Sequence, residues 1–206
     1  MAAEDRPQIY LITPPAFELE VFPDRLAAVL DRVGVACLRL ALATRDEDRL
    51  LRAADACRLV AHDRDVPIVI ETHVKLVERL GLDGVHLADG ARSVRAARKD
   101  LGQEAIVGAF CGGSRHEGMG AGEAGADYVA FGPFGATTLG SGEPAEPELL
   151  GWWSEMIEVP VVAEGALTEA LVRDLAAMTD FFGLGEEVWS AEDPAAALAA
   201  FDRAMG

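Results

Sequence analysis

Arg39 stands inside the run VACLRL (35–40), with apolar residues on both sides. A guanidinium buried there without a partner is costly, so it must meet a carboxylate or a bound anion. Glu71 and Glu164, each closing another apolar run, are the candidate carboxylates. Glu71, His73, His86 and Asp89 form a second group that could act as an acid–base set or as metal ligands. No spacing among them is diagnostic of a metal. Quieter roles also fit: His86 as a core histidine bonded to backbone or carboxylate, Asp89 as the N-cap of the next helix. Gly165 and Gly185 follow two further apolar runs. Their amides could cradle a phosphate, or their freedom could serve only the loop. Glu164, Glu186 and Glu187 lie beside them and would repel such an anion.

A fourth stretch, YVAFGPFGATTLGSG (128–142), leads from an apolar run into glycine, proline and the pair Thr137 and Thr138. It has the build of an anion-holding loop and contains no lysine, arginine or histidine.

These residues need a frame to bring them together. Eight β-prone runs occur at 8–13, 35–40, 66–71, 84–88, 105–110, 127–132, 159–164 and 181–185. Each is nearly continuous in apolar residues, as expected of strands covered on both faces. Helical patterns fill the gaps at 24–33, 44–65, 73–80, 91–101, 114–124, 146–157, 168–178 and 193–204. Asp24, Thr168 and Asp193 are expected caps, and Pro194 suits a first helical position. Strict alternation implies right-handed βαβ units and a parallel sheet. Eight repeats in 206 residues give an α/β fold, a single (β/α)8 TIM barrel over residues 1–206. A doubly wound open sheet is the alternative, but it usually carries its glycine-rich loop after the first strand. Here that loop reads TPPAFELEVFP. In a barrel the site forms at the C-terminal ends of the strands, where all the candidates above fall. Trp152 and Trp153, on the stretch after the sixth run, are expected in the shell or at a subunit contact.

Composition narrows the partners. Lysine plus arginine is 18 against 35 acidic residues, a net charge of -17. That balance disfavours nucleic acid and anionic membrane surfaces. A small-molecule ligand is the expected partner, and a homo-oligomer is compatible with the sequence. The start, MAAEDRPQIYLITPP, lacks the pattern of a signal peptide, so a cytoplasmic location is expected. Three cysteines, without CxxC pairs, read as reduced and mostly buried.

The opening QIYLIT, the GVHL of the fourth run, GADYVAFGPF with its threonines, and VPVVAEGAL occur in this order over about residues 8–204. Together they resemble thiamine phosphate synthase and its relatives in the thiazole tautomerase branch. The resemblance implies a (β/α)8 barrel of thiamine biosynthesis. The reaction it implies is a transfer: hydroxymethylpyrimidine diphosphate joins a thiazole phosphate and expels pyrophosphate with Mg2+. It also implies that Thr137 and Thr138 lie in the substrate loop, beside the phosphate site that the place of Gly165 and Gly185 in the barrel suggests. If that reaction is kept, Arg39 would hold the diphosphate and Glu71 or Asp89 the magnesium.

Several positions depart from the family pattern. Gln-x-Arg-x-Lys becomes Cys37-Leu38-Arg39-Leu40-Ala41, and Asn-Asp-Asp becomes Glu71-Thr72-His73. The position of the second magnesium aspartate falls near Ala91, and the loop threonines are followed by Leu139 and Gly140, with no lysine. One of two glycines after the seventh run is Glu164. Fewer cations for a diphosphate leaving group imply a slow family reaction. Two other readings compete: a non-catalytic or regulatory barrel binding a phosphorylated or carboxylate molecule, and a tautomerase-like enzyme. In the latter His73, His86 or His116 would move a proton.

Overall fold

The computed structural model describes residues 6–44, 46–137 and 139–206. Eight strands form in chain order: β1 (Gln8–Ile12), β2 (Cys37–Leu40), β3 (Ile68–Glu71), β4 (Gly84–Leu87), β5 (Ile106–Phe110), β6 (Tyr128–Phe131), β7 (Val161–Glu164) and β8 (Phe181–Leu184). Every neighbour pair is parallel, and β8 closes on β1. The fold is a single (β/α)8 TIM barrel, and the open-sheet alternative falls.

Side chains on a strand alternate between faces, and this parity decides which residues can do chemistry. Leu38 and Leu40, Ile68 and Ile70, Val85 and Leu87, and Val161 and Ala163 face outward into the main core against the helices. The opposite parity points inward. Tyr10, Cys37, Val69, Tyr128, Ala130 and Val162 make a second, smaller cluster inside the barrel, edged by Ile12, Ile106, Phe110 and Phe181. Arg39, Glu71, His86 and Glu164 share that inward parity, so a polar layer sits on an apolar plug. Two glycines make room for it. A Cβ on Gly108 would lie 1.9 Å from the Tyr128 ring, and one on Gly183 would lie 2.8 Å from the Glu164 Cβ.

The helices are α1 (Phe22–Leu30), α2 (Glu47–His62), α3 (Val74–Leu80), α4 (Val94–Leu101), α5 (Arg115–Glu123), α6 (Pro147–Met156), α7 (Glu169–Leu175), α8 (Glu186–Trp189) and α9 (Pro194–Ala204). Thr168 and Asp193 cap α7 and α9, accepting from the amides of Leu171 and Ala196. Asp24 does not cap α1. The helix starts two residues earlier at Phe22, with Pro23 in its first turn, and Asp24 becomes a first-turn acid. Asp89 is not the residue capping α4 either, because Ser93 precedes that helix and donates its hydroxyl to the Asp89 carboxylate at 2.6 Å. The four-residue α8 was not expected, being too short for periodicity to mark. It lies beside the barrel mouth, and Trp189 in it donates to the Ile12 carbonyl at 2.7 Å. Trp153 is buried in the shell with Trp152 packed against it.

A repeated device fixes the opposite end of the barrel. Asp83, Asp127 and Asp180 each precede an even-numbered strand, and each accepts the first backbone amide of the strand before it or its neighbour: Ile68, Val107 and Val161. Charge-assisted bonds to backbone amides set strand register at that end, leaving the other end free for loops of the site.

Candidate active site at the barrel mouth

Arg39 is buried and meets three side chains from three strands. Its Nη2 donates to Glu164 Oε2 at 2.7 Å, and its Nη1 lies 3.4 Å from Glu164 Oε1. Glu71 Oε2 lies 3.8 Å from its Nε. On the other side Nη1 donates to His86 Nε2 at 2.7 Å. A guanidinium can only donate, so this bond makes His86 Nε2 an acceptor and puts the ring proton on Nδ1. Nδ1 then donates to the Tyr128 hydroxyl at 2.9 Å, which continues to the Tyr10 hydroxyl at 2.5 Å. The chain Arg39–His86–Tyr128–Tyr10 runs from mouth to plug, and the Arg39 guanidinium also sits 5.7 Å from the Tyr10 ring centroid.

The electrostatics follow from burial. Burial is the largest single influence and works against a charged Arg39, but Glu164, Tyr10, Glu71 and Tyr128 together outweigh it, so the guanidinium stays cationic. Burial pushes the Glu164 carboxyl up, and Arg39 only partly offsets this, so it stays above the ordinary carboxylate value. His86 is held well below its ordinary value of 6.5, first by burial and then by Arg39. It is therefore a neutral acceptor fixed in one tautomer. Burial also raises both tyrosines and pushes the Cys37 and Cys111 thiols to about 12.

Above this layer a cavity of about 440 Å³ opens at the mouth. Arg39 and Glu164 are its floor, and Thr13, Thr137, Gly165, Gly185, Glu186 and Glu187 stand in its wall. Arg39 is the one cation among the described residues that line it. Thr138 lies outside the described residues.

The glycine-rich loop after β6 explains its own composition. The amides of Phe134 and Gly135 both donate to the Gly165 carbonyl, at 3.2 and 2.9 Å, and the Gly132 amide donates to Gly112. A Cβ on Gly132 would come within 2.1 Å of the Glu164 carbonyl oxygen, and one on Gly135 within 2.1 Å of that of Ala166. The loop clamps itself to the β7 loop, so these three amides serve structure rather than an anion.

Glu71 ends β3 and His73 stands two residues on, at the start of α3, and the two part there. Glu71 turns toward Arg39, while His73 lines a separate groove of about 530 Å³ with Thr44, Asp46, Glu47, Thr72 and Lys75. His73 Nδ1 donates to the Glu71 carbonyl at 2.7 Å, leaving Nε2 with a free lone pair. Thr72 beside it has φ +62°, an outlier for a β-branched residue. Asp89 lies in a third hollow with Arg92, Cys111 and Glu117. His116 is exposed on the first turn of α5 and lines none of these three.

Magnesium prefers one or two carboxylates together with substrate phosphates. Glu71 is engaged by Arg39 and Asp89 by Ser93, and no group of three metal-ligating side chains exists among the described residues. These residues do not fit a ready-made magnesium site. Sequence reasoning passed over Tyr10, Tyr128 and the role of Glu187. Only the register of β1 and β6 in the closed barrel turns both tyrosines inward.

The thiamine monophosphate synthase family model matches residues 9–180. Among curated proteins, a thiamine-phosphate synthase of Rhodospirillum centenum is 45% identical over 203 residues, covering 96% of this chain and 97% of that one. One of Erythrobacter litoralis is 39% identical, covering 93% and 92%. Among solved structures, a thiamine phosphate pyrophosphorylase from Pyrococcus furiosus superposes with a TM-score of 0.84 at 20% identity, covering 98% and 96% of the two chains. A 3-hexulose-6-phosphate synthase gives 0.71 at 15%, covering 96% and 100%, which speaks to the fold alone. This chain belongs to the thiamine monophosphate synthase family.

Proposed function

We propose that the barrel mouth binds a small molecule of thiamine assembly, with Arg39 as the contact for its anionic end. We further propose that the family's condensation of hydroxymethylpyrimidine diphosphate with thiazole phosphate is slow here. The observation that carries this is the 2.7 Å pair between Arg39 and Glu164 on the cavity floor. A diphosphate leaving group needs cations aimed where its charge develops. Here the inward cation is already neutralised, and a ligand has to compete with a buried carboxylate for it. The test is an assay with both substrates and saturating magnesium, beside a synthase of demonstrated activity. The expected turnover is about a hundredfold or more below the control, the typical worth of one lost electrostatic contact. Turnover within about tenfold of the control would overturn the proposal.

A second reading rests on His73. A backbone carbonyl takes its Nδ1 proton and leaves Nε2 as the acceptor atom of a ring that lines a groove, which suits a tautomerase-like proton transfer. Deuterium exchange from solvent into a thiazole phosphate, lost in His73→Ala, would favour it. Exchange that survives the substitution would remove it.

A further inference from the structure

Two backbone amides from separate loops converge on one carboxylate at the mouth. The Leu167 amide donates to Glu187 Oε1 at 2.9 Å, and the Gly185 amide donates to Glu187 Oε2 at 2.9 Å. Leu167 belongs to the loop after β7 and Gly185 to the turn after β8; both residues are buried. The chain reaches Leu167 through Gly165 at φ +96° and Ala166 at φ +50°. Alanine is disfavoured in that region, so the turn is held at some cost. In barrels of this kind, the loops after strands seven and eight and a short extra helix frequently form a phosphate site. All three parts are present, and Glu187 fills the position a phosphate edge would take, with one oxygen on each amide.

A second observation points into the same cavity. Arg39 is about nineteen-twentieths buried, at 5% exposure, and its Nε has no hydrogen-bond partner. It lines the cavity together with Gly185 and Glu187. Glu71 answers its charge from 3.8 Å but makes no hydrogen bond to it, and a buried donor without a hydrogen bond is a rare feature.

We propose that Glu187 is a built-in anion that occupies a phosphate cradle and so sets the specificity of the mouth. A phosphate group, free or as a monoester, binds only by displacing this carboxylate, because two anions cannot share the same pair of amides. The proposal does not depend on which reaction the barrel catalyses.

The test measures binding of inorganic phosphate by calorimetry to the native chain, Glu187→Gln, Glu187→Ala and Glu186→Gln. Glu186 lines the same cavity and is exposed, so its substitution removes the same charge without freeing an amide. Glu187→Gln and Glu187→Ala should bind phosphate about tenfold or more tightly than the native chain, and Glu186→Gln should change affinity less than about threefold. Equal affinity in the native and both Glu187 variants overturns the proposal. So does a gain in Glu186→Gln as large as in Glu187→Gln, since the general field would then suffice. Should the variants not fold, the native chain decides. A phosphate titration should move the amide resonances of Leu167 and Gly185 together, and if neither moves, Glu187 is only a loop strut.

Discussion

Arg39 on β2 and Glu164 on β7 meet inside the barrel at 2.7 Å, although their strands are not neighbours in the sheet. The pair ties opposite walls of the mouth. Each charge has left water, and a buried pair of this kind repays its desolvation only through close geometry and further hydrogen bonds. The His86 contact on the guanidinium supplies one of them.

Removing one charge should therefore be costly. Glu164→Gln leaves Arg39 buried with Glu71 at 3.8 Å as its nearest remaining carboxylate. We expect a loss of about 3–5 kcal/mol, read from urea unfolding at neutral pH. The double variant Arg39→Met with Glu164→Leu should recover most of it. A single variant as stable as the native chain would mean that the guanidinium reaches solvent.

The neutral state of His86 should appear in acid. Its folded pKa lies well below 6.5. Above 6.5 it is neutral in both states, and its contribution is complete. As pH falls from there toward the folded value, the unfolded chain takes a proton that the folded chain refuses, so stability declines. In His86→Gln an amide oxygen can still accept from Arg39, and nothing titrates. The native stability should fall relative to this variant across that window. Parallel pH profiles would contradict the assignment.

Tyr128→Phe tests the next link. It removes the acceptor of the His86 Nδ1 proton and the partner of the Tyr10 hydroxyl. Unmatched buried polar groups cost about 1–3 kcal/mol. The expected result is a loss of that size, with the His86 ring signals shifted in NMR spectra. Unchanged stability would show that water enters the plug.

Much of the frame was legible because strands buried on both faces leave apolar runs and helices leave periodic ones. Each of the eight runs contains its strand, and ends were overrun by a few residues because apolar character continues past the last ladder bond. Arg39 was legible as a cation needing a partner, since a lone arginine in VACLRL has no other outcome. The joining of Arg39 with His86, Tyr128 and Tyr10 was not, because those residues are 47 and 42 positions apart at successive links, and further still at the last. Only closure of the barrel brings them together. The β6 loop was legible as glycine-rich, but not why. Its glycines answer to carbonyl oxygens of another loop, which no local pattern records.

That loop gives the last prediction. A Cβ on Gly135 would come within 2.1 Å of the Ala166 carbonyl oxygen, and a backbone atom cannot swing aside as a side chain can. Gly135→Ala must therefore push the β6 loop off the β7 loop and stretch the bond from the Gly135 amide to the Gly165 carbonyl. Overpacking of this kind costs about 1–3 kcal/mol. In a chain of this length each kcal/mol lowers the melting temperature by about 2–4 °C. Gly113→Ala is the control, because its added methyl would meet Ala145 at an ordinary 3.6 Å and should shift stability by less than about 0.5 kcal/mol. Paired thermal melts read both. The Gly135 variant should also disturb the Leu167 amide, since Ala166 lies between the clamp and Glu187. A Gly135→Ala protein that melts with the native chain and keeps its Leu167 resonance would show that the two loops are not clamped.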